Sequence, residues 1–298
     1  MRHRLPPDAL LLATVLFWSF NFTAVKYALD HGFEPLSYSS VRFGVGAAMF
    51  AAFTYVREGT IRVRRRDVVL LLGAAALGVW LNQLTFVYSV ELTASASTVA
   101  LLFGTLPIFV ALIAFVTGTE QLRLRHWVAT VVSFAGVALV ASGSGAQIGG
   151  ALGGILLGLA AAATWAAYTV AIGPLMRRYS PYRISAVVLL AGCVPLFVSS
   201  APQLARQDWD LSALAWTACV YSLLFSLVLT NIMWFTAVER VGAARASLYA
   251  NLQPFLGALF AVLVLSESLG TLQVVGGIVI AAGILLARRA PPPVGHVD

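Results

Sequence analysis

Charge is scarce along this chain. Asp, Glu, Lys and Arg make up 10% of its 298 residues, whereas hydrophobic residues make up 60%. A soluble domain usually carries about 25% charged residues. A chain so poor in charge has too few polar groups to cover a water-facing surface. We therefore expect most of its surface to contact lipid.

Acidic residues and histidines are missing from the middle of the long apolar stretches. The twelve carboxylates fall at predicted helix ends, in loops or in the tail. The four histidines lie outside the predicted helices as well. Proton relays through membrane proteins usually consist of buried Asp, Glu or His. The sequence therefore disfavours a proton relay at the membrane centre.

Motifs of enzymes and cofactor sites are absent too. There is no glycine-rich phosphate loop, no zinc-ligand spacing and no intramembrane Ser/His or Asp/Asp constellation. The two cysteines, Cys193 and Cys219, stand apart in predicted helices and are expected to pack as small apolar residues. We expect neither an enzyme nor an ATP-driven pump, and no metal or other cofactor.

Long apolar stretches make up most of the sequence. A helix needs about 20 apolar residues to cross about 30 Å of hydrocarbon. The sequence predicts an all-α integral membrane protein with ten transmembrane helices. The predicted spans are 9–29, 36–56, 68–90, 94–116, 125–142, 152–173, 183–201, 212–237, 243–265 and 271–288. The proline-rich residues 290–298 are predicted to form a disordered cytoplasmic tail.

The net charge of +7 is explained by where the basic residues fall. If the N-terminus is cytoplasmic, Arg206 alone lies in an outer loop, and Lys26 and Arg42 lie within helices. Cytoplasmic loops of membrane proteins are enriched in Lys and Arg. We expect a multi-pass protein of a bacterial-type inner (plasma) membrane, with both termini cytoplasmic and no nucleic-acid partner. The cytoplasmic set is Arg2, Arg4, Arg57, Arg62, Arg64, Arg65, Arg66, Arg123, Arg125, Arg177, Arg178, Arg183, Arg240, Arg245, Arg288 and Arg289.

The chain repeats itself at an offset of 147 residues, the spacing from Trp18 to Trp165. The same offset places Tyr88 on Phe235, Pro107 on Pro254, Glu120 on Glu267 and Gly136 on Gly283. Each half would hold five helices, so the second half would enter the membrane inverted. Inverted repeats are typical of secondary transporters that work by alternating access. The predicted units are 1–146 and 147–289.

One family matches this order of motifs. The first half reads FWSFNFTAVKYAL, then Pro35, then VRFGVGA around Arg42. Each half then has small residues, a proline, an apolar run, a glutamate and a helix that contains glycine. Almost the whole chain resembles the EamA-type ten-helix branch of the drug/metabolite transporter superfamily. The resemblance implies two five-helix bundles, with helices 1, 3, 4, 6, 8 and 9 around a central cavity. It also implies transport of amino acids or other small metabolites.

Polar residues inside the predicted helices are the candidates for that cavity. An unpaired amide in hydrocarbon costs several kcal/mol, so such groups either line water or bond to other helices. Bonding between helices is the alternative for Thr23 in particular. The candidate cavity residues are Trp18, Asn21, Thr23, Trp80, Asn82, Gln83, Trp165, Tyr168, Asn231, Tyr249, Asn251 and Gln253.

Charges near helix ends are candidates for a gate. Lys26 and Arg42 would attract an anion or anchor a substrate carboxylate; alternatively they snorkel or pair with nearby acids. Energy coupling, if protons are involved, would use an acid at a helix end such as Glu91. Pro107 and Pro254 each remove a backbone donor, which predicts kinks and, as a second interpretation, hinges.

These observations predict outward transport of a small amphipathic metabolite, such as an amino acid or related compound. The alternative is a non-transporting membrane assembly or lipid-handling protein, in which the polar residues only join helices. Small residues such as Gly277 and Ala281 predict close helix packing within one chain or in a homodimer. The expected partners are therefore a small-molecule substrate and the lipid bilayer.

Overall fold

The computed structural model describes residues 5–118, 124–143, 150–241, 246 and 249–288. All regular elements in these ranges are helical, with no strand among them. The predicted tail 290–298 lies outside the described residues. We number the helices α1 (Pro7–Asp30), α2 (Pro35–Glu58), α3 (Arg65–Thr93), α4 (Ala96–Val116), α5 (Leu124–Gly143), α6 (Gly150–Ile172), α7 (Pro181–Arg206), α8 (Ala213–Val241), α9 (Gln253–Leu265) and α10 (Thr271–Arg288).

Seven of the described helices are long and apolar enough to cross a membrane, namely α1 and α3 to α8. Helices α9 and α10 are apolar but shorter, and α2 is not among the seven. The region from Ser37 to Arg42 makes α2 more polar than its neighbours. An all-helical, multi-pass membrane protein is therefore confirmed. Ten membrane crossings and two inverted repeats stay predictions.

Local sequence signals explain where several helices begin. Pro7, Pro35 and Pro181 each stand at the start of a helix, where the missing N–H costs nothing. The side chains of Ser95 and Ser180 cap α4 and α7 by accepting hydrogen bonds from backbone N–H groups in the first turn. The predicted boundaries therefore fall within a few residues of most observed ends.

Three membrane helices contain segments that are not α-helical. Residues Ala76–Leu81 of α3 and Ser222–Leu229 of α8 are π-helical. Residues Phe103–Thr105 of α4 form a 3₁₀ turn directly before the segment that contains Pro107. Pro254 likewise lies in the first turn of α9. Each proline thus stands where a new α-helical segment starts, a position that tolerates the lost donor.

Helices α5 and α10 pack so closely that their backbones touch. A Cβ atom on Gly136 would lie 2.7 Å from the Gly276 carbonyl oxygen, and one on Gly276 would lie 2.6 Å from the Gly136 oxygen. A Cβ on Gly277 would contact Leu101 of α4 at 3.1 Å. The small residues of α10 therefore serve contacts within this chain.

Helices α2 and α7 pack together and are joined by polar contacts at both of their ends. The end of the bundle at which α2 ends and α7 begins is the first end, and the opposite end is the second end. At the first end, Arg183 pairs with Glu58 at 2.9 Å. At the second end, Arg206 pairs with Glu34 at 2.9 Å, and Gln203 Oε1 accepts a hydrogen bond from the Leu36 N–H at 2.6 Å. Polar contacts thus join the two helices at both ends, and both helices also contribute residues to the cavity described below.

Candidate functional site

A cavity of about 150 Å³ lies among the helices. Eight helices contribute to its wall, and α5 and α10 do not. Its volume is below the roughly 300–1,000 Å³ of pockets for drug-sized ligands, so it suits a small metabolite. The wall consists of Trp18, Asn21, Phe22, Arg42, Phe43, Gly78, Val79, Asn82, Gln83, Phe86, Phe103, Leu106, Trp165, Tyr168, Ser185, Val188, Leu189, Ser226, Leu227, Asn231 and Gln253.

The contribution of α1 follows from helical spacing. Trp18, Asn21 and Phe22 stand three and four residues apart, so they share one face of the helix. The indole Nε1 of Trp18 donates to the Ser226 carbonyl at 3.1 Å and to Thr230 Oγ1 at 2.9 Å, both on α8. These bonds hold the ring in place while leaving its apolar face for the cavity.

Asn82 and Gln83 form a hydrogen-bonded chain that starts on the backbone of α6. Asn82 Nδ2 donates to the Ala161 carbonyl at 2.9 Å, and Asn82 Oδ1 accepts from Gln83 Nε2 at 3.2 Å. Because a backbone carbonyl only accepts, this chain sets the orientation of both amides. Gln83 Oε1 is left buried without a hydrogen-bond partner among the described residues, as is Asn21 Oδ1.

Arg42 brings a positive charge to the same cavity. Arg42 is only 5% exposed, and its Nε donates to the Ser222 carbonyl at 3.2 Å. The guanidinium carbon lies 5.2 Å from the centre of the Phe43 ring. Arg42 has no ion pair with a carboxylate in the part of the chain that the structure describes. A buried guanidinium that has one backbone acceptor would be stabilised by an anionic ligand.

Aromatic rings form much of the remaining wall. Phe22, Phe86 and Phe103 contact one another edge to face, with ring centres 5.4 to 5.8 Å apart. Trp165 and Tyr168 of α6 lie 5.2 Å apart on another side. Edge-to-face contacts between rings are favourable and hold each ring in one orientation. The site therefore combines rigid apolar surfaces with a few polar groups.

Nine of the residues singled out from the sequence line this cavity. They are Trp18, Asn21, Arg42, Asn82, Gln83, Trp165, Tyr168, Asn231 and Gln253. Asn231 also donates from Nδ2 to the Leu227 carbonyl of its own helix.

Five other singled-out residues lie away from the cavity wall. Trp80 Nε1 donates to Ser199 Oγ at 2.8 Å, which joins α3 to α7. Tyr249 OH donates to Asp8 Oδ1 at 2.9 Å. Thr23 is buried, and no described residue bonds to its hydroxyl. Asn251 is partly buried just before α9, and Glu91 is exposed near the end of α3.

Lys26 and Glu267 belong to a separate cavity at the second end. This second cavity, of about 430 Å³, also includes Asp30, with which Lys26 forms an ion pair one turn along α1. Glu267 accepts hydrogen bonds from the backbone N–H groups of Ala96 and Ser97 at 2.7 and 3.1 Å. It thereby caps the start of α4 from the segment after α9, whereas its predicted counterpart Glu120 lies outside the described residues.

Sequence reasoning missed the small and apolar part of the wall. A Cβ atom on Gly78 would lie 2.5 Å from the Tyr168 ring, so glycine is needed for that ring to approach α3. Leu106 and Leu189 were missed as well. Each stands 147 residues from a polar wall residue, Gln253 and Arg42 respectively. The repeat offset of 147 residues could therefore have identified Leu106 and Leu189 as wall residues. Among the described residues no cluster of His, Cys, Asp and Glu is arranged to hold a metal.

Comparisons with known proteins agree on the type of protein. The profile of the EamA-like transporter family matches residues 5–142 and again residues 152–289. An uncharacterized transporter of Archaeoglobus fulgidus is 24% identical, over 94% of this chain and 97% of its own length. A probable terminal-alkyne amino-acid exporter of Streptantibioticus cattleyicolor is 27% identical, over 94% of this chain and 92% of its own length. A crystal structure with 19% identity superposes with a TM-score of 0.65 and covers 95% of both chains.

Proposed function

The chain belongs to the EamA-like transporter family, and from this premise we propose that it exports a small amphipathic metabolite by alternating access. The substrate is an amino acid or a related compound. The observation that carries the proposal is the small cavity in which oriented amides and a guanidinium face aromatic rings. Apolar walls with a few placed polar groups are typical of small-molecule sites.

The repeat supports a mechanism with two exchanging states. Positions 147 residues apart meet at the cavity: Trp18 with Trp165, Asn21 with Tyr168, and Val79 with Ser226. The two π-helical segments of α3 and α8 stand at nearly the same offset. The packing is reciprocal too, since α3 packs on α6 as α8 packs on α1. Two similar halves around one site can tilt in two ways, each of which would open a different end.

The charges support an orientation with the first end in the cytoplasm. Among the described residues, Arg57, Arg178 and Arg183 lie at the first end and Arg206 lies at the second. Lys and Arg are enriched on the cytoplasmic side of membrane proteins. The proposal of outward transport is further supported by the relative from Streptantibioticus cattleyicolor, whose name describes an exporter of an amino acid.

The test is a comparison of metabolites in the medium of cells that overproduce the protein. Overproduction should raise one small amphipathic compound outside the cells, and Asn21→Ala and Gln83→Ala should reduce that rise at least tenfold. Thr169→Ala is the matched control, because Thr169 is exposed and its hydroxyl bonds to the Trp165 carbonyl of its own helix.

Two results would contradict the proposal. Unchanged medium on overproduction of a folded, membrane-inserted protein would favour a role in membrane assembly or lipid handling. Equal export by the two cavity variants and the control would mean that the compound leaves by a route other than this cavity.

A further inference from the structure

Arg42 is the feature of the cavity that the general function does not explain. A charge within a membrane helix is costly unless a partner offsets it. Arg42 is nevertheless buried, and no ion pair with any described carboxylate offsets that cost. Lys26 of α1 has its partner in Asp30, and Arg57 at the end of α2 lies 3.9 Å from Glu239. Arg42 alone therefore offers an uncompensated charge to whatever enters the cavity.

The cavity wall that holds Arg42 also contains unpaired hydrogen-bond acceptors. Gln83 Oε1 and Asn21 Oδ1 are buried hydrogen-bond acceptors for which the described part of the chain supplies no donor. For Gln83, the chain through Asn82 to the Ala161 carbonyl fixes the oxygen as the unpaired end. A buried acceptor that is left unpaired costs free energy, because it has lost its hydrogen bonds to water. A ligand that carries an N–H or ammonium group would recover that energy.

The other residues of the cavity wall limit the charge and the polarity of the rest of the ligand. No Asp or Glu lines the described cavity, so a purely cationic ligand would meet Arg42 without a counter-charge. Leu189 occupies the position that matches Arg42 in the second half, and Val188 lies beside it. The cavity therefore has a cationic side on α2 and an apolar side on α7.

We propose that Arg42 anchors the carboxylate of a zwitterionic amino acid with an apolar side chain. The amide oxygens of Gln83 and Asn21 accept hydrogen bonds from its ammonium group. A guanidinium suits this task because its fixed pair of N–H donors matches a carboxylate. This inference rests on the proposed function, since it names the substrate class of the same cavity.

The probe is leucine, measured by counterflow of labelled L-leucine in proteoliposomes. Two competitors share its branched chain: 4-methylpentanoate keeps only the carboxylate, and 3-methylbutylamine keeps only the ammonium. In the wild-type protein we expect 4-methylpentanoate to compete at least tenfold better than 3-methylbutylamine. Equal competition, or better competition by the amine, would overturn the assignment of Arg42.

Variants test the two anchors separately. Arg42→Gln should reduce leucine counterflow at least tenfold, and Arg42→Lys should retain part of it because the charge remains. Gln83→Leu should reduce counterflow of leucine, which has an ammonium group, while leaving competition by 4-methylpentanoate, which has none, unchanged. Arg206→Gln is the control, since it removes an exposed arginine paired with Glu34. If Arg42→Gln does not fold, the ranking of competitors in the wild type decides.

The inference and the proposed function can fail separately. Wild-type counterflow in Arg42→Gln would overturn the inference and leave transport through the cavity intact. So would export, in the cell experiment, of a compound without a carboxylate. Absence of leucine counterflow and of any exported metabolite would overturn both.

Discussion

At the scale of single residues, two asparagines of the cavity differ in what they hold together. Asn82 on α3 donates to the Ala161 carbonyl of α6, so its bond joins two helices. Asn231 on α8 donates to the Leu227 carbonyl one turn earlier in its own helix. A bond between helices is lost when the helices separate, whereas a bond within one helix survives.

Replacement of each asparagine by alanine should therefore affect stability differently. Asn82→Ala should lower the free energy of unfolding by about 1 kcal/mol, a typical value for a polar contact between membrane helices. Asn231→Ala should change it by less than half as much. Unfolding of the purified protein by SDS in mixed micelles measures both values, and equal losses would contradict the distinction.

Much of the cavity could be predicted from residue types, but the exceptions have a common cause. Trp18, Asn21, Asn82 and Gln83 were predicted because polar groups within apolar helices need an explanation. Trp80 has the same character, yet it turns to Ser199 on α7. A sequence shows which residues share a face of one helix, but not which neighbour that face meets. Residues whose polar partner lies on another helix cannot be distinguished from cavity residues at that stage.

At the scale of helices, the contact between α5 and α10 depends on glycine. A Cβ on Gly276 would lie 2.6 Å from the Gly136 carbonyl oxygen, and backbone atoms cannot move aside as a flexible side chain can. Gly276→Ala should push the helices apart and lower the free energy of unfolding by about 1–3 kcal/mol, as overpacking does.

Gly73 on α3 provides the matched control for this substitution. A Cβ at Gly73 would meet no described atom within 4 Å outside the backbone of its own helix. Alanine favours a helix over glycine by about 0.8–1.0 kcal/mol, so Gly73→Ala should leave stability unchanged or raise it. The same SDS titration applies to both variants, and equal effects at the two positions would contradict the close approach of α5 and α10.

The helices also contain features without a sequence signal. Most helix ends follow from proline, serine caps and the end of apolar runs, so their positions were predictable. The π-helical segments in α3 and α8 were not, because Ala76–Leu81 and Ser222–Leu229 read as ordinary apolar helix. Both segments contribute to the cavity, Gly78 and Ser226 among their residues. π-Helical segments are frequently found at functional sites, which fits their place beside the cavity.

At the scale of the whole molecule, the proposed orientation can be tested at two loop positions. Thr60 lies between α2 and α3 at the first end, and Asp210 lies between α7 and α8 at the second. The native cysteines are buried. A membrane-impermeant thiol reagent added to intact cells should label Asp210→Cys and should label Thr60→Cys only after the membrane is opened. The reverse pattern would place the first end outside the cell.

Alternating access makes a further demand on the same molecule, which is that the cavity be reachable from either side in turn. Leu106 lines the cavity on α4, and Glu267 holds the start of that helix at the second end through the N–H groups of Ala96 and Ser97. Loss of the carboxylate removes charge-assisted hydrogen bonds, so Glu267→Gln should favour the state that is open at the second end.

In a protein with Cys193 and Cys219 replaced by alanine, Leu106→Cys should react with an impermeant thiol reagent from both sides of the membrane, in right-side-out and inside-out vesicles. Adding Glu267→Gln should raise the rate from the second end and lower it from the first, because a shift between two states moves the two rates in opposite directions. Glu34→Gln is the control, since it breaks the ion pair with Arg206 at the same end. The Arg206 side chain is 63% exposed, and exposed ion pairs contribute little. Labelling of Leu106→Cys from one side alone in every variant would mean that the cavity is a fixed pocket. A rise in the labelling rates from both sides together would mean that it is a pore.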